Sequence, residues 1–507
     1  MGSAKFIRLS ANDNVIVMPG GGTEGDVVAW DGEGDEWETF FLRESVPPWH
    51  KAACTPIAKG ERVIKFGRAI GLASRDIGRG NRVHTNNVET LLASGGDELP
   101  KWRKPPISYL RRSINAAKKT RRTFKGYRRE DGRAGIRNEL WVIPTVGSVC
   151  GELEAIVRDY HRPYWIDSVK VLGHASGASQ TGDDLEMTAN ILAGLATNPN
   201  AAGALLVGLG NESLSVAVLK DRVIGRIPPR PPRMVTLQTS SAENIAEYLD
   251  KMAAESPRTR EEFPLSDLCV GVKCGENDGF SGISANPLVG RFADWLVSQG
   301  GTILAAEIPE MFGAEKIITS RICSRDAYDN FISLDSWFRE YFARHGQPIL
   351  KPISPGRGET GISTPEERSL GAIQKTGLAP VTSVLKYGEG IRDGGGVQIT
   401  FAPCDDLVSC TALAGGGAQI ILFTTDIGAP FGSVVPTVKI SADTALRERL
   451  PGWIDFNAGV VLDGASWETA AADLTEYVLK VASGEERTAH ERRGHGEISI
   501  FRDGAIF

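Results

Sequence analysis

GYRREDGRAGIRNELWVIPTVGSVC, residues 126–150, divides into two chemically different halves. The first is a cationic, glycine-broken loop. It carries Arg128, Arg129, Arg133 and Arg137 around Asp131, Gly132 and Gly135. Such a loop has the shape and charge to hold anions. The second half is an apolar strand, Leu140–Ile143, ending in the small and polar residues Pro144–Cys150. Open α/β sheets gather ligands at the carboxyl ends of their strands, so this strand end is a place to look for chemistry.

Outward from this stretch, the pattern repeats as strand, polar turn, helix. Leu140–Thr145 leads to Glu152–Tyr160, Ser168–Leu172 to Asp183–Leu195, and Ala204–Gly208 to Ser213–Lys220. Repeated β–α order predicts a parallel sheet covered by helices. Residues 1–95 read differently. Short apolar runs (Val15–Met18, Val27–Trp30, Arg62–Phe66) alternate with Gly and Asp turns, as in a β meander. Residues 96–122 form a basic linker. From Lys101 through Arg129 there are many basic residues and no acidic one, which suits either a solvated tether or an anion-attracting strap. The middle domain is placed at 123–265, with an extended PPRPP loop at Pro228–Pro232. The last domain spans 266–507, with strands expected at Leu268–Lys273, Thr302–Ala306, Val397–Ala402, Ala418–Thr424 and Val434–Ile440. A helix is expected at Pro287–Ser298 and a long loop at Ser354–Pro365. The fold class is therefore α/β: a small β-rich N-terminal domain, then two α/β domains with mainly parallel sheets.

Composition narrows the functions. A net charge of −6 gives no global field for nucleic acid. No apolar run approaches the ~20 residues that span a membrane. The N-terminus lacks the apolar core of a signal peptide, so a cytoplasmic protein is expected. Seven scattered cysteines form no CxxC pair. The chain has no P-loop GKS or GKT, and the glycine-rich turn Gly173–Asp184 does not match GxGxxG, which argues against nucleotide binding.

Past the expected strands stand Thr145 and Ser148; His174 and Ser176; Asn211 and Glu212; Cys274, Glu276, Asn277 and Asp278; Glu307 and Glu310; Cys404, Asp405 and Asp406; and Thr424, Thr425 and Asp426. Singly, such residues are turn formers and helix caps. Together they suit a polyhydroxylated substrate and a hard cation. The loop Cys274–Gly290 is the densest, and it includes Ser281. His50 and His84 lie in the N-terminal domain, and imidazoles with carboxylates would suit Fe(II), Mn(II) or Zn(II). His490 and His495 lie in a charged tail and read as solvated.

Several long motifs bring the chain to a family. It resembles the altronate/galactarate dehydratases from end to end. The N-terminal domain is similar to their antifreeze-like (SAF) domain through WHKAAC and RVHTNN; the middle domain through GYRREDGRAGIRN, PTVGSV and VGLGNES; and the last domain through KCGENDGFSGISANPLVG, EIPEMFGAE, SPGRGETGIS and KYGEGIRDGGG. The resemblance implies a hydro-lyase that converts a sugar acid to a 2-keto-3-deoxy acid with a divalent metal, Fe(II) or Mn(II). A small-molecule substrate and a homo-oligomer are expected, with no nucleic-acid or membrane partner. By resemblance, His50 and His84 are metal ligands; His50, Lys51, His174 and Glu310 are catalytic; and Arg133, Arg137, Asn138, Asp278 and Ser281 bind substrate. The chain also departs from the family. Asn86 stands where a histidine is usual, and Ser148, Asn211 and the Gly177–Ser179 run stand where cysteines are common.

Dehydrating a 2,3-dihydroxy acid needs a base at the α-carbon, stabilisation of the enediolate, and an acid for the leaving 3-hydroxyl. Arg133 and Arg137, with the backbone of residues 274–282, are expected to hold the carboxylate, because the guanidinium fork suits it. His50 or Lys51 is expected as base or acid. A carbon–sulfur lyase acting on a sulfolactate-like acid, and a non-catalytic sugar-acid binding protein, are the alternative readings.

Overall fold

The structure is a computed structural model, and it describes residues 5–31, 37–94, 101–106, 122–226, 232–239, 242–275, 281–347, 349 and 361–504. Most of the basic linker, most of the PPRPP loop, Asp278 and residues 354–360 of the long loop lie outside the described residues.

The N-terminal domain is β-rich. Val15–Met18, His50–Ala53 and Arg82–Val83 form one antiparallel sheet, and Arg62–Lys65, Arg68–Ala73 and Val88–Glu89 another. The hairpin at Lys65–Arg68 turns through Phe66 (φ 59°) and Gly67 (φ 68°). Two consecutive positive φ angles are what a tight two-residue hairpin needs to match strand twist. Strand alternation sends His50 and Ala52 to one face of their strand and Lys51 and Ala53 to the other. Ala52 packs in a small core with Ile16, Met18 and Val28, while Ala53 joins the main core.

The middle domain is a four-stranded parallel sheet in the order Ser168–Val171, Glu139–Pro144, Ala201–Gly208, Arg233–Thr236. The expected strand at Leu140–Ile143 is thus a central strand, buried along its whole length. The domain is closed by its own ends. Thr123–Arg128 pairs antiparallel with both Ala134–Gly135 and Glu261–Pro264, and Phe124 stacks on Phe263.

The last domain holds a seven-stranded parallel sheet in the order Val381–Leu385, Gly396–Thr400, Thr302–Ala305, Cys269–Cys274, Ile420–Thr425, Thr437–Ser441, Phe456–Asn457. Cys269–Cys274 and Ile420–Thr425 are buried at every position, as expected of parallel strands covered on both faces. From Cys269–Cys274 the chain first builds to one side, then crosses to Ile420–Thr425 on the other. This reversal opens a crevice at the carboxyl end of Cys269–Cys274.

Of the arginines in the 126–150 stretch, Arg129 and Arg137 are buried ties, a correction to the anion-holding expectation for Arg137, while Arg128 and Arg133 stay exposed. The Arg137 guanidinium is 1% exposed and forks onto Glu491, with Nε to Oε1 at 2.6 Å and Nη2 to Oε2 at 3.1 Å. Its Nη1 donates to the carbonyls of Ile136 and Val481. Burial pushes the Glu491 carboxyl up, but Arg137 outweighs it and holds it at about 2. Asn138 donates to the carbonyls of Trp165 and Pro257 and accepts from Arg129. Neither side chain has capacity left for a substrate carboxylate. Arg133 pairs with Asp131 and donates to the Thr197 carbonyl along an open groove. Arg137 ties the middle domain to the C-terminal tail, whereas Asn138 and Arg133 hold within the middle domain.

That tail is also more buried than its charge suggests. His490 is 2% exposed, and a Cβ on Gly432 would fall 2.1 Å from its ring. Burial, then the nearby Lys170 and Lys439, holds the imidazole at about 3, so it is neutral in the fold. An unfolded chain binds this proton below about pH 6.5, so the associated stability is complete above that pH and drains away as pH falls toward 3. Denaturant unfolding at pH 7.5 and pH 5 should show a smaller drop for His490→Gln than for the wild type. Arg137→Ala leaves Glu491 buried without its partner and should cost about 3–5 kcal/mol, seen as a lower Tm, while kcat/KM of the folded protein stays unchanged.

Candidate functional site

The crevice at the carboxyl end of Cys269–Cys274 is closed on its far side by the N-terminal domain. Its walls include Lys65 and Phe66 from the tight hairpin, Cys274 and Gly275 from the strand end, and Glu310, Glu367 and Arg368 from the loops and helix beyond. A Cβ on Gly282 would lie 2.6 Å from the Gly371 Cα, so only glycine lets these two backbones cross beneath the cavity.

The helix Pro365–Ala372 is the hinge of the arrangement. Thr364 caps it, accepting from the Glu367 N–H, and proline occupies its first turn. Glu366 and Glu367 follow, at the end where the helix dipole favours negative charge. Both point into the N-terminal domain. Glu366 Oε1 accepts from Thr90 Oγ1 and from the N–H groups of Leu91 and Leu92. Glu367 accepts from Lys51 Nζ at 2.9 Å and from Lys65 Nζ at 2.7 Å, with Ser363 donating twice more. Burial pushes the Glu367 carboxyl up, but the two lysines and their hydrogen bonds outweigh it and hold it far below the carboxylate range. Burial brings the Lys51 amine down to about 8 despite Glu367.

Behind the cavity a second ionic cluster fills the strand ends. Lys273 Nζ lies 2.8 Å from Glu307 Oε1 and 2.8 Å from Asp406 Oδ1. Lys375 Nζ lies 2.6 Å from Glu310 Oε2, and Arg368 lies 3.8 Å from Glu310 Oε1. The two glutamates are driven apart. Burial raises Glu307, and Glu310 adds to the rise. Burial also acts on Glu310, but Lys375, Lys273 and Arg368 together pull it below its ordinary value. One carboxyl is kept ionised and its neighbour is pushed toward the neutral form. Pairs of this kind divide acid from base work.

Of the residues expected from sequence, Glu310 reaches this cavity, and Ser281 is fully buried at the start of the turn Ser281–Ile283 beside it. Lys51 is spent on Glu367 and the Gly361 carbonyl, a structural tie where acid–base work was expected. His50 and His84 face each other with ring centroids 4.8 Å apart, on the other face of the strand from Lys51, and neither lines the cavity. His174 lies in a separate crevice of the middle domain with Ser148 and Cys150. Its Nε2–H donates to the Pro144 carbonyl and its Nδ1 accepts from the Ser176 N–H. Burial lowers its pKa, so the ring is neutral with both nitrogens engaged.

Arg82 donates to His50 Nδ1 from Nη2 at 3.0 Å and Nε at 3.3 Å. A guanidinium cannot accept, so the neutral ring carries its proton on the other nitrogen. That proton occupies the lone pair a metal would need. Among the described residues no group of three or more His, Cys, Asp or Glu side chains is arranged to hold a metal ion. As arranged, His50 offers no lone pair to a divalent cation.

Lys65, Lys273, Glu367, Arg368 and Lys375 were missed in the sequence. A lysine inside an otherwise apolar strand, as in CVGVKC at 269–274, was the available signal.

Comparison with known proteins agrees with this architecture. Residues 4–91 match the altronate/galactarate dehydratase SAF domain, 126–257 the second domain of D-galactarate dehydratase/altronate hydrolase, and 265–506 the D-galactarate/altronate dehydratase C-terminal domain. The chain is 39% identical to altronate dehydratase of Bacillus subtilis, over 98% of this chain and 99% of that protein. It is 36% identical to altronate dehydratase of Escherichia coli, over 99% of each. It is 28% identical to the L-threo-forming galactarate dehydratase of Escherichia coli, over 99% of this chain and 98% of the relative.

Glu367→Gln removes the one anion shared by two buried lysines. It should cost about 3–5 kcal/mol, and limited proteolysis should release the N-terminal domain before the rest is cut. With its strand-end cavity, its N-terminal cover and its match to full-length relatives, the chain belongs to the altronate/galactarate dehydratase family.

Proposed function

We propose that this protein dehydrates an aldonate of the altronate type to a 2-keto-3-deoxy acid at the crevice lined by Lys65, Glu310 and Arg368, whose enclosed space of about 20 Å³ must widen to admit the substrate. The observation that carries this reading is the ionised Glu310, set among cations at the cavity wall. The greater identity to the altronate dehydratases than to the galactarate dehydratase favours an aldonate over an aldarate.

In this reading Lys65 and Arg368 attract the substrate carboxylate from opposite walls. Glu310 takes the proton from C2, and the electron pair of that C–H bond enters the enediolate. The C3–oxygen bond breaks, and the departing hydroxyl takes up a proton and leaves as water. The enol that remains gives up its O–H proton and accepts one at C3, becoming the 2-keto acid; with the C2 proton passed from Glu310 to the departing hydroxyl, substrate equals keto acid plus water. The enediolate carries two negative charges, so fixed cations in a dry site supply the larger part of the stabilisation. Lys375 and Arg368 pair with the Glu310 carboxylate; as Glu310 takes up the C2 proton and loses its charge, their positive charge is left for the enediolate. This takes the carboxylate-holding role from Arg133 and Arg137, and no step is assigned to His50, Lys51 or His174. The family resemblance implies Fe(II) or Mn(II); the misfit at His50 means that no step here runs through a metal.

The test is a 2-keto-acid assay of the purified protein against a panel of aldonates and aldarates, with and without added Fe(II) or Mn(II), and with sulfite measured beside it. Turnover of altronate is expected. Sulfite release from a sulfolactate, or binding of a sugar acid without turnover, would overturn the reading. Glu310→Gln should lose roughly 100- to 10,000-fold in kcat with the fold intact by circular dichroism.

A further inference from the structure

Glu307 stands at the carboxyl end of the strand Thr302–Ala305, fully buried, with a left-handed backbone (φ 71°). Such a conformation is costly for a residue with a side chain, and it persists only where the surroundings enforce it. Here it aims the carboxyl inward, behind Glu310.

The hydrogen bonds around that carboxyl are specific. Oε1 receives Lys273 Nζ at 2.8 Å. Lys273 has no donor to spare, because its other two go to Asp406 and the Cys274 carbonyl. Ser409 Oγ lies 3.1 Å from Glu307 Oε1 and 2.8 Å from the Pro403 carbonyl. One hydroxyl proton cannot serve both, and a carbonyl can only accept. With the serine proton on Pro403, the Glu307–Ser409 contact needs a proton from the carboxyl. Glu307 Oε2 is buried and has no hydrogen-bond partner. An ionised oxygen in that position would be a bare charge, whereas a neutral carboxyl carries a much smaller penalty. The geometry therefore places a proton on Glu307.

We propose that Glu307 is a positioning residue of the dehydratase site: a protonated carboxyl behind Glu310 that leaves the cluster one positive charge in surplus for the enediolate. The inference rests on the dehydratase reading above. Facing Glu307 are Lys273 from its strand, Glu310 from the turn Ile308–Met311, Lys375 and Arg368 from the Pro365–Thr376 segment, and Cys404, Asp406 and Cys410 from the Asp406–Gly415 helix and the turn before it. Lys273, Lys375 and Arg368 then meet two carboxylates, Glu310 and Asp406. Burial and the Glu310 charge favour the neutral Glu307. Ionisation of Glu307 cancels the surplus and sets a second carboxylate against an intermediate that is itself dianionic. Glu307 makes no contact with substrate in this scheme. It acts through Lys273 and Glu310.

The test is the pH dependence of kcat/KM on altronate for the wild type, Glu307→Gln and Ser409→Ala. The wild type should lose activity on an alkaline limb. Glutamine imitates the protonated acid and can donate to Ser409, so Glu307→Gln should keep neutral-pH activity and lose that limb. Ser409→Ala removes the acceptor for the carboxyl proton and should move the limb to lower pH. In parallel, the infrared carbonyl stretch of a protonated carboxyl should be present in the wild type at neutral pH and absent from Glu307→Gln. A wild-type profile without the limb, an unmoved limb in both variants, or no infrared difference overturns the proposal. If Glu307→Gln fails to fold, an unmoved limb in Ser409→Ala overturns it alone. If the wild type makes no keto acid from any substrate, the dehydratase reading fails, and the infrared comparison still decides the Glu307 proton.

Discussion

Two ammonium groups on one carboxylate, Lys51 and Lys65 on Glu367, hold the N-terminal domain against the large parallel sheet. All three groups are buried, so none can fall back on water if the contact opens. A buried charge without its partner costs several kcal/mol, and this triad contains three. The interface is therefore close to all-or-none. Lys65 belongs to the triad and also lines the cavity, so the contact that docks the domain finishes the binding surface.

The same logic explains why charge runs so deep in this protein. Lys273 is one of the largest fully buried side chains, on a strand otherwise made of Val, Gly and Cys. Its burial is tolerable because Glu307, Asp406 and the Cys274 carbonyl take all three of its protons. Apolar residues of similar volume would pack there at less electrostatic cost. A network of this kind supplies fixed charge at a strand end, where an anionic intermediate can use it without reorganising water.

Much of the scaffold was legible in the sequence. The β–α alternation, the parallel sheets and the rule that chemistry gathers at strand ends led to Glu310 and the Cys274 loop. The arginines were misread for a physical reason. Charge and glycine content describe an anion loop and a folded-in tie equally well, and only the tertiary structure shows Glu491 within reach of Arg137, 354 residues further along the chain. Glu366 and Glu367 were silent because two glutamates after a proline look like any helix start. His490 was misjudged because it sits in a run of charged residues, while its ring packs against Gly432. In each case local chemistry was read correctly and its long-range partner was invisible.

Backbone strain offers an independent line through the same places. Among the described residues, the non-glycine positions with positive φ are Trp49, Phe66, Ser179 and Glu307. Phe66 lines the cavity, and Glu307 stands behind it. Trp49 precedes His50, and its carbonyl would lie 1.9 Å from a Cβ on Gly361, in the segment that also accepts from Lys51. Ser179 follows Ala178 in the wall of the His174 crevice. Each such residue costs about 1–3 kcal/mol, and surrounding structure must over-determine it. Around Phe66, Glu307 and Trp49, that surrounding structure includes the buried ion pairs. Strain and buried charge thus occur together where the N-terminal domain meets the strand ends: the ionic network holds the backbone in shapes it would not otherwise keep, and those shapes aim Phe66 and Glu307 at the site.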